Sequence, residues 1–408
     1  MDIEKSIKDA EKNLAPLFEK IDETVLFNQE KVLAAFQKNR IAPRHFAGTT
    51  GYGYDDEGRV ALSAVFRDAF RAEAAIASPY IASGTHALYL ALSGVLRPGD
   101  RFLSLTGKPY DTLDGVVNGA GIGSLRDFGI SFEQIDLQKN ADSGGIDLEA
   151  VEKALKNKKY KLAYIQRSRG YGQRRALAVN EIEEAVRLAR SVSSDTAVMV
   201  DNCYGEFTET REPTDAGADL IAGSLIKNPG GGLAPSGGYI AGRADLVRLS
   251  EYRLTAPGLG CEIGSLSGGY KSYFQGLFLS PHTVGQALKG SLLVGAVMKA
   301  AGFKTEPDAG RVPPDLIRSV GFDTAEQLIG FCRQIQYASP VDSYVTCEPW
   351  DMPGYADQII MAAGTFNQGA SLELSCDAPI LPPYTAYLQG GLTYEHVKIA
   401  LKRCLERL

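Results

Sequence analysis

Two residues near the middle of the chain have the types and placement that chemistry on amines requires. Lys227 ends the run Asp219-Leu220-Ile221-Ala222-Gly223-Ser224-Leu225-Ile226-Lys227, and Asn228-Pro229-Gly230-Gly231-Gly232 follows. An apolar strand would hold the amine still, the glycines would let backbone approach a bound group closely, and the Ser224 hydroxyl would help hold an anion. Upstream, Ala197-Val198-Met199-Val200-Asp201 places an acid where another short buried strand ends. Open α/β sheets put their ligand-binding groups at that position. An ionised acid touching a pyridine nitrogen keeps it protonated and strengthens the ring as an electron sink. Lys227 and Asp201 at neighbouring strand ends are therefore what pyridoxal phosphate needs.

Further residues fit around this pair. Ser83, Gly84 and Thr85, followed by His86 and the helical pattern from Ala87, would lie at a helix N-terminus, where backbone N–H groups and hydroxyls receive either phosphate or only the helix cap. Tyr110, in the turn Gly107-Lys108-Pro109-Tyr110, would lay its ring over a bound pyridoxal and offer its hydroxyl for proton transfer; an ordinary half-buried tyrosine is the competing role. Cys203 lines the same pocket rather than acting as a nucleophile, because no basic partner is evident for it. Tyr52, Tyr54 and Arg59 sit in a glycine-rich loop and form a second phosphate or substrate contact set, most economically donated across a dimer interface. Arg167, Arg169, Arg174 and Arg175 form a basic cluster, from which one member would take an amino-acid carboxylate unless the loop is simply solvated.

The elements that must position these groups follow from the hydrophobic pattern. Residues 3–40 carry apolar positions at helical spacing, as one or two amphipathic arms. The pattern predicts a helix over 61–75, a strand at 80–82 and a helix over 87–95. Strands follow at 101–105, 162–166, 197–201, 220–224 and 238–242, with helices over 148–155 and 181–189. Alternating strands and helices indicate an α/β fold with a mostly parallel, doubly wound sheet. A long apolar helix over 281–301, a connecting stretch at 302–314 and a late strand at 371–375 indicate a smaller C-terminal α+β domain. The expected division is an N-terminal helical arm (1–50), a large cofactor-binding domain (51–280) and a C-terminal domain (281–408) against which the arm packs.

Composition narrows the function classes. The chain has 408 residues, 44% of them hydrophobic, and a formal net charge of -6. That balance supports a large core and argues against nucleic-acid binding. Six scattered cysteines form no CxxC pair, and the four histidines are separated, so no metal site is expected. Reduced thiols, a polar N-terminus and no apolar run of bilayer length lead to the expectation of a cytoplasmic protein that does not engage a membrane.

Over nearly its whole length the chain resembles the pyridoxal-phosphate enzymes of fold type I. It resembles more closely the aluminium-resistance-associated, methionine gamma-lyase-like proteins also described as cystathionine beta-lyase-like. The resemblance rests on Tyr52-Gly53-Tyr54-Asp55-Asp56-Glu57-Gly58-Arg59, Ser83-Gly84-Thr85-His86, Asp201-Asn202-Cys203-Tyr204 and Ser224-Leu225-Ile226-Lys227. It continues in Ser280-Pro281-His282 and in the run from Tyr384 to His396. It implies Lys227 as the internal-aldimine lysine, Asp201 at the pyridine nitrogen, Tyr110 over the ring, and Ser83, Gly84, Thr85 and Ser224 near the phosphate. It also implies that Tyr54 is donated to a neighbouring active site, in a homodimeric catalytic unit assembled as a homotetramer.

Two departures from better-understood carbon–sulfur lyases stand out. The arginine that follows their cross-subunit tyrosine is displaced here, with Asp56 intervening and Arg59 later. Their late strand supplies a carboxylate-binding arginine, whereas this chain has Ser371-Leu372-Glu373-Leu374-Ser375. The expected reaction is removal of the α proton of a sulfur amino acid, such as cystathionine or methionine, with loss of a thiol and release of oxoacid and ammonia. An aminotransferase or other amino-acid lyase, and a non-catalytic cofactor-binding protein, are the competing readings.

Overall fold

The computed structural model describes residues 2–138, 144–172, 174–352 and 357–407. Its larger sheet holds β1 (Ala74–Ser78), β2 (Arg101–Ser104), β3 (Ser131–Gln134), β4 (Leu162–Gln166), β5 (Ala197–Asp201), β6 (Leu220–Ser224) and β7 (Gly238–Gly242). The strand order is β1-β7-β6-β5-β4-β2-β3. Only the β7 pairings, with β1 and β6, are antiparallel. The smaller sheet is antiparallel throughout, in the order β10-β11-β12-β9-β8. It is built from β8 (Lys304–Glu306), β9 (Arg318–Gly321), β10 (Ile359–Ala362), β11 (Ser375–Pro379) and β12 (Thr385–Gln389).

The helices are α1 (Ile3–Lys38), α2 (Glu57–Ala69), α3 (Gly84–Val95), α4 (Asp111–Asn118), α5 (Leu148–Asn157), α6 (Val179–Val192), α7 (Ala244–Leu254), α8 (Lys271–Ala300), α9 (Ala325–Ala338) and α10 (Tyr394–Leu405). Both faces of the large sheet are covered. Alternate residues of the central strands divide between two cores: Ala163, Ile165, Val198, Val200 and Ile221 face α2, α5, α6 and α8. Leu162, Tyr164, Ala197, Met199 and Leu220 face α3 and α7. This double burial is why these strands read as continuous apolar runs rather than alternating ones. A third core joins α9, α10 and the small sheet to Ile7 and Ala10 of α1 and to the C-terminal half of α8. The mostly parallel large sheet and the smaller C-terminal sheet are the α/β fold expected from the pattern. Among the described residues no helix is long and apolar enough to cross a membrane.

Several local expectations fail for physical reasons. Residues 80–82 form a turn, and the strand is the alanine-rich Ala74–Ser78, which pairing with β7 extends against its helical propensity. The preceding helix accordingly stops at Ala69. The long helix starts at Lys271 and passes through Pro281, because burial along most of its length outweighs the hydrogen bond that proline removes. The expected domain border at 280/281 thus falls inside α8. The connecting stretch at 302–314 contributes an edge strand, β8. The late strand begins at Ser375, where the 371–375 expectation ends.

Candidate active site

Three adjacent central strands end in polar side chains along one edge of the large sheet. Gln166 closes β4, Asp201 closes β5 and Ser224 closes β6, and Gln166 and Asp201 are register partners. A cavity of about 710 Å³ opens at this edge, lined by all three together with Lys227, Tyr110 and the start of α3. The other wall comes from the small domain and includes Ser375, Asp377 and Gln389.

The Lys227 amine lies 4.0 Å from the centre of the Tyr204 ring. Enclosure opposes its charge, but the acidic side chains around it, the Asp201 carboxylate among them, hold the amine well above the ordinary lysine range. Asp201 is buried; its Oδ1 accepts the Cys203 N–H at 3.1 Å and its Oδ2 accepts the Tyr164 hydroxyl at 3.4 Å. Burial pushes the Asp201 carboxyl up, and the Lys227 cation pulls it back toward ionisation. A second cation beside Asp201 would act in the same direction as Lys227.

Tyr110 lies at the N-terminus of α4, its N–H donating to Gln166 Oε1 at 3.2 Å and its hydroxyl hydrogen-bonded to Thr85 Oγ1 at 3.0 Å. Burial, with Asp201 and Cys203 nearby, pushes its hydroxyl far above the usual tyrosine range, so it stays protonated. Ser83 caps α3, accepting the His86 N–H at 3.1 Å. The first-turn N–H groups of a helix have no intrahelical acceptor, so this end can receive an anion. Gly84 keeps the approach open: a Cβ there would stand 3.3 Å from Cys203 Sγ and 3.4 Å from Ser224 Cβ. Burial raises the Cys203 thiol well above its normal range, which leaves it a neutral lining group.

The residues present fit pyridoxal phosphate. An amine and a buried carboxylate share the cavity, a glycine-floored helix N-terminus borders it, and an aromatic hydroxyl stands beside that terminus. The structure therefore brings Ser83, Gly84, Thr85, Tyr110, Asp201, Cys203, Ser224 and Lys227 together around one cavity.

Tyr54 and Arg59 lie outside the described cavity lining. Tyr54 is exposed, its ring 5.5 Å from that of Tyr52. Arg59 is buried and donates to the Gly264 carbonyl at 2.5 Å and the Glu262 carbonyl at 3.1 Å. The arginine cluster divides. Arg167 is buried behind the sheet on Asn202 and Glu209, and Arg175 pairs with Glu181. Arg169 and Arg174 line the cavity. Burial lowers Arg174 to about 10. Glu373 takes the N–H groups of Phe366 and Asn367 at 2.8 and 3.0 Å and is not among the cavity-lining residues. His86 accepts the Ala82 N–H through Nδ1 at 3.0 Å, as part of the turn into α3.

Sequence reasoning missed Gln166, Tyr171, Ser375, Asp377 and Gln389. Gln166 was findable by the rule that found Asp201, since it ends an apolar strand. Asp377 and Ser375 were hidden by the misplaced strand boundary.

A seven-stranded α/β domain and a smaller antiparallel domain, with a ligand cavity at the strand ends, define the class of fold type I pyridoxal-phosphate-dependent proteins. The family model described as methionine gamma-lyase matches residues 3–408, and the chain belongs to that family, whose chemistry is carbon–sulfur elimination. The carbon–sulfur lyase involved in aluminium resistance from Clostridium novyi NT has 48% sequence identity and a TM-score of 0.95, over 99% of this chain and 95% of that one. A Bacillus cereus protein of solved structure has 47% identity and a TM-score of 0.96 over 100% of both chains. The uncharacterized protein YnbB of Bacillus subtilis (strain 168) is 47% identical over 100% of this chain and 96% of its own.

Proposed function

We propose that this protein is a pyridoxal-phosphate-dependent carbon–sulfur lyase that performs β- or γ-elimination on a sulfur amino acid such as cystathionine or methionine. The observation that carries the reading is the placement of Asp201 at the end of β5 and Lys227 just beyond the end of the neighbouring β6 in one cavity, in a chain of this family. Bound there, pyridoxal phosphate supplies the sink for the electron pair left on the α-carbon. Asp201 holds a proton at the pyridine nitrogen. Lys227 carries the cofactor and, once released, takes the α proton. Tyr110, protonated at neutral pH, donates a hydrogen bond toward the departing sulfur. Ser83, Thr85, Ser224 and the N–H groups at the start of α3 hold the phosphate, and Gly84 gives it room. Arg169 and Arg174 are the guanidinium groups among the cavity-lining residues, and one of them takes the substrate carboxylate.

The same reading makes a dimer the catalytic unit, two of them forming a tetramer. Tyr54, on an exposed loop, reaches the neighbouring subunit's phosphate, and Arg59 holds the loop that presents it. The test is the absorbance spectrum of the purified protein before and after a panel of sulfur amino acids, with oxoacid and ammonia measured together. A lysine-linked cofactor band that changes with substrate, with both products formed, is the expected result. Amino-group transfer to an oxoacid without net ammonia would replace lyase by aminotransferase. A changing band without any product would leave a binding protein.

A further inference from the structure

Arg167, one of the four clustered arginines, lies away from the cavity. It is the first residue after β4, it is 0% exposed, and it is not among the cavity-lining residues. Its guanidinium lies against the segment that follows β5. Nη1 donates to Asn202 Oδ1 at 2.8 Å, and Nη2 donates to Glu209 Oε2 at 2.6 Å and to Thr208 Oγ1 at 3.3 Å. Its backbone N–H donates to the Asp201 carbonyl at 3.1 Å. The fit is close, since a Cβ on Gly205 would stand 2.5 Å from both Cδ and Nη1 of Arg167.

That segment carries groups that surround Lys227. The Cys203 N–H orients Asp201 Oδ1 at 3.1 Å, and Tyr204 sets its ring 4.0 Å from the amine. It is also a turn that resists its own shape, because Tyr204 and Phe207 both hold left-handed backbone, with φ at 70° and 62°. Such a turn persists only where its surroundings hold it. The Glu212 carboxylate spans it, accepting Asn202 Nδ2 and the Phe207 N–H, each at 3.0 Å. Asn28 of α1 donates to the Phe207 and Glu209 carbonyls at 3.2 and 3.0 Å. Arg167 joins the two ends of the turn, Asn202 and Glu209, through one planar group.

We propose that Arg167 is a positioning residue for the reaction, holding residues 202–209 so that Asp201 and Tyr204 stand correctly toward the cofactor and Lys227. This rests on the cofactor reading above and not on which sulfur amino acid is cleaved. Arginine suits the task because its planar fork reaches two acceptors at once while its charge faces Glu209 and Glu212. Lysine would keep the charge but present a single nitrogen, which cannot span Asn202 and Glu209.

The test compares the native protein with Arg167→Lys. In the cofactor-loaded proteins, the pH midpoint of the lysine-linked absorbance band reads the proton on the Lys227 nitrogen, which the Tyr204 ring and the Asp201 carboxylate favour. That midpoint should fall by about one unit in the variant. The kcat for the sulfur amino acid turned over should fall by at least about tenfold, with KM nearly unchanged. In the cofactor-free proteins, amide hydrogen exchange over 202–209 should quicken while that of α9 stays the same. Arg211→Lys is the control. That guanidinium pairs with Glu183 at the surface, at 2.9 and 3.0 Å, and its replacement should move neither midpoint nor kcat. Glu209→Gln, at a partly exposed position, loosens the same clasp more mildly and gives the reading if Arg167→Lys does not fold. Unchanged exchange in the variant, or faster exchange with native midpoint and kcat, overturns the assignment. A shifted midpoint, with no product from any sulfur amino acid in the native protein, keeps the positioning and removes the lyase. Product from the native protein, with native midpoint and kcat in the variant, keeps the lyase and removes the positioning.

Discussion

The Tyr204 ring lies under the Lys227 amine, 4.0 Å from ring centre to Nζ, and Tyr204 holds a left-handed backbone conformation with φ at 70° to place it there. Such a conformation is unfavourable for a non-glycine residue by roughly 1–3 kcal/mol, so the turn after β5 holds it against its preference. A cation over an aromatic face gains about 0.5–2 kcal/mol, depending on desolvation. Tyr204→Phe keeps the face and should keep most of the turnover, whereas Tyr204→Ala should lower kcat by about tenfold by releasing the amine. Turnover measured beside the fraction of covalently attached cofactor checks this. Equal kcat for the two variants would show that the ring does not restrain the lysine.

Gly84 separates cofactor binding from helix stability. Alanine favours a helix over glycine by up to about 1 kcal/mol, so Gly84→Ala should leave the melting temperature of the cofactor-free protein equal or higher. Its methyl group would stand 3.3 Å from Cys203 Sγ, at the approach to the phosphate end. Cofactor affinity should fall by roughly tenfold, and adding Cys203→Ala, which removes that sulfur, should restore part of it. Equilibrium titration with pyridoxal phosphate reads both effects. Unchanged affinity in the single variant would mean that the helix start does not receive the phosphate.

How legible a strand was depended on whether both its faces are apolar. Residues 162–166, 197–201, 220–224 and 238–242 were expected as strands and are strands from end to end, because each is buried throughout its length. Ala74–Ser78 was not legible, since its alanines carry no β signal of their own and only pairing with β7 extends it. The expectation at 371–375 missed β11 because Ser375 and Asp377 turn polar side chains into the cavity and break the apolar pattern. Lys227 and Asp201 stood out because they interrupt or end apolar runs. The opposite wall did not, because its groups come from a separate sheet far along the chain, and no local spacing brings them to the cavity.

Glu373 had drawn attention as an acid in place of an expected arginine, but the structure gives it a different task. Its two oxygens accept the Phe366 and Asn367 N–H groups, holding the segment that carries Gly369 and Ala370 to the cavity wall. Glu373→Gln keeps the shape but turns an NH2 toward a backbone N–H, and should destabilise the protein by about 2 kcal/mol. Substrate KM should rise as that wall loosens, without a change in preference between charged and uncharged substrates. Thermal melts and a substrate panel test it. A shifted charge preference at unchanged stability would return Glu373 to the substrate.

Glu206 lies behind Lys227, wholly buried, with the Tyr239 hydroxyl 2.8 Å from Oε1 and no partner for Oε2 among the described residues. Burial pushes its carboxyl from the ordinary 4.5 up to about 8, with Glu212 adding to the rise and the Tyr239 hydrogen bond and Lys227 opposing it. Between those two values the folded protein holds a proton that the unfolded chain has released. Stability therefore falls as pH rises through this window, with the whole penalty present above pH 8. A shift of this size corresponds to on the order of 5 kcal/mol. Glu206→Gln is neutral at every pH and lacks that dependence. Denaturant unfolding of the cofactor-free protein should show the variant gaining stability relative to the native chain, by a few kcal/mol, between pH 5 and pH 9. Parallel curves for the two proteins would mean that Glu206 ionises as an ordinary glutamate, and that a cation compensates it behind the lysine.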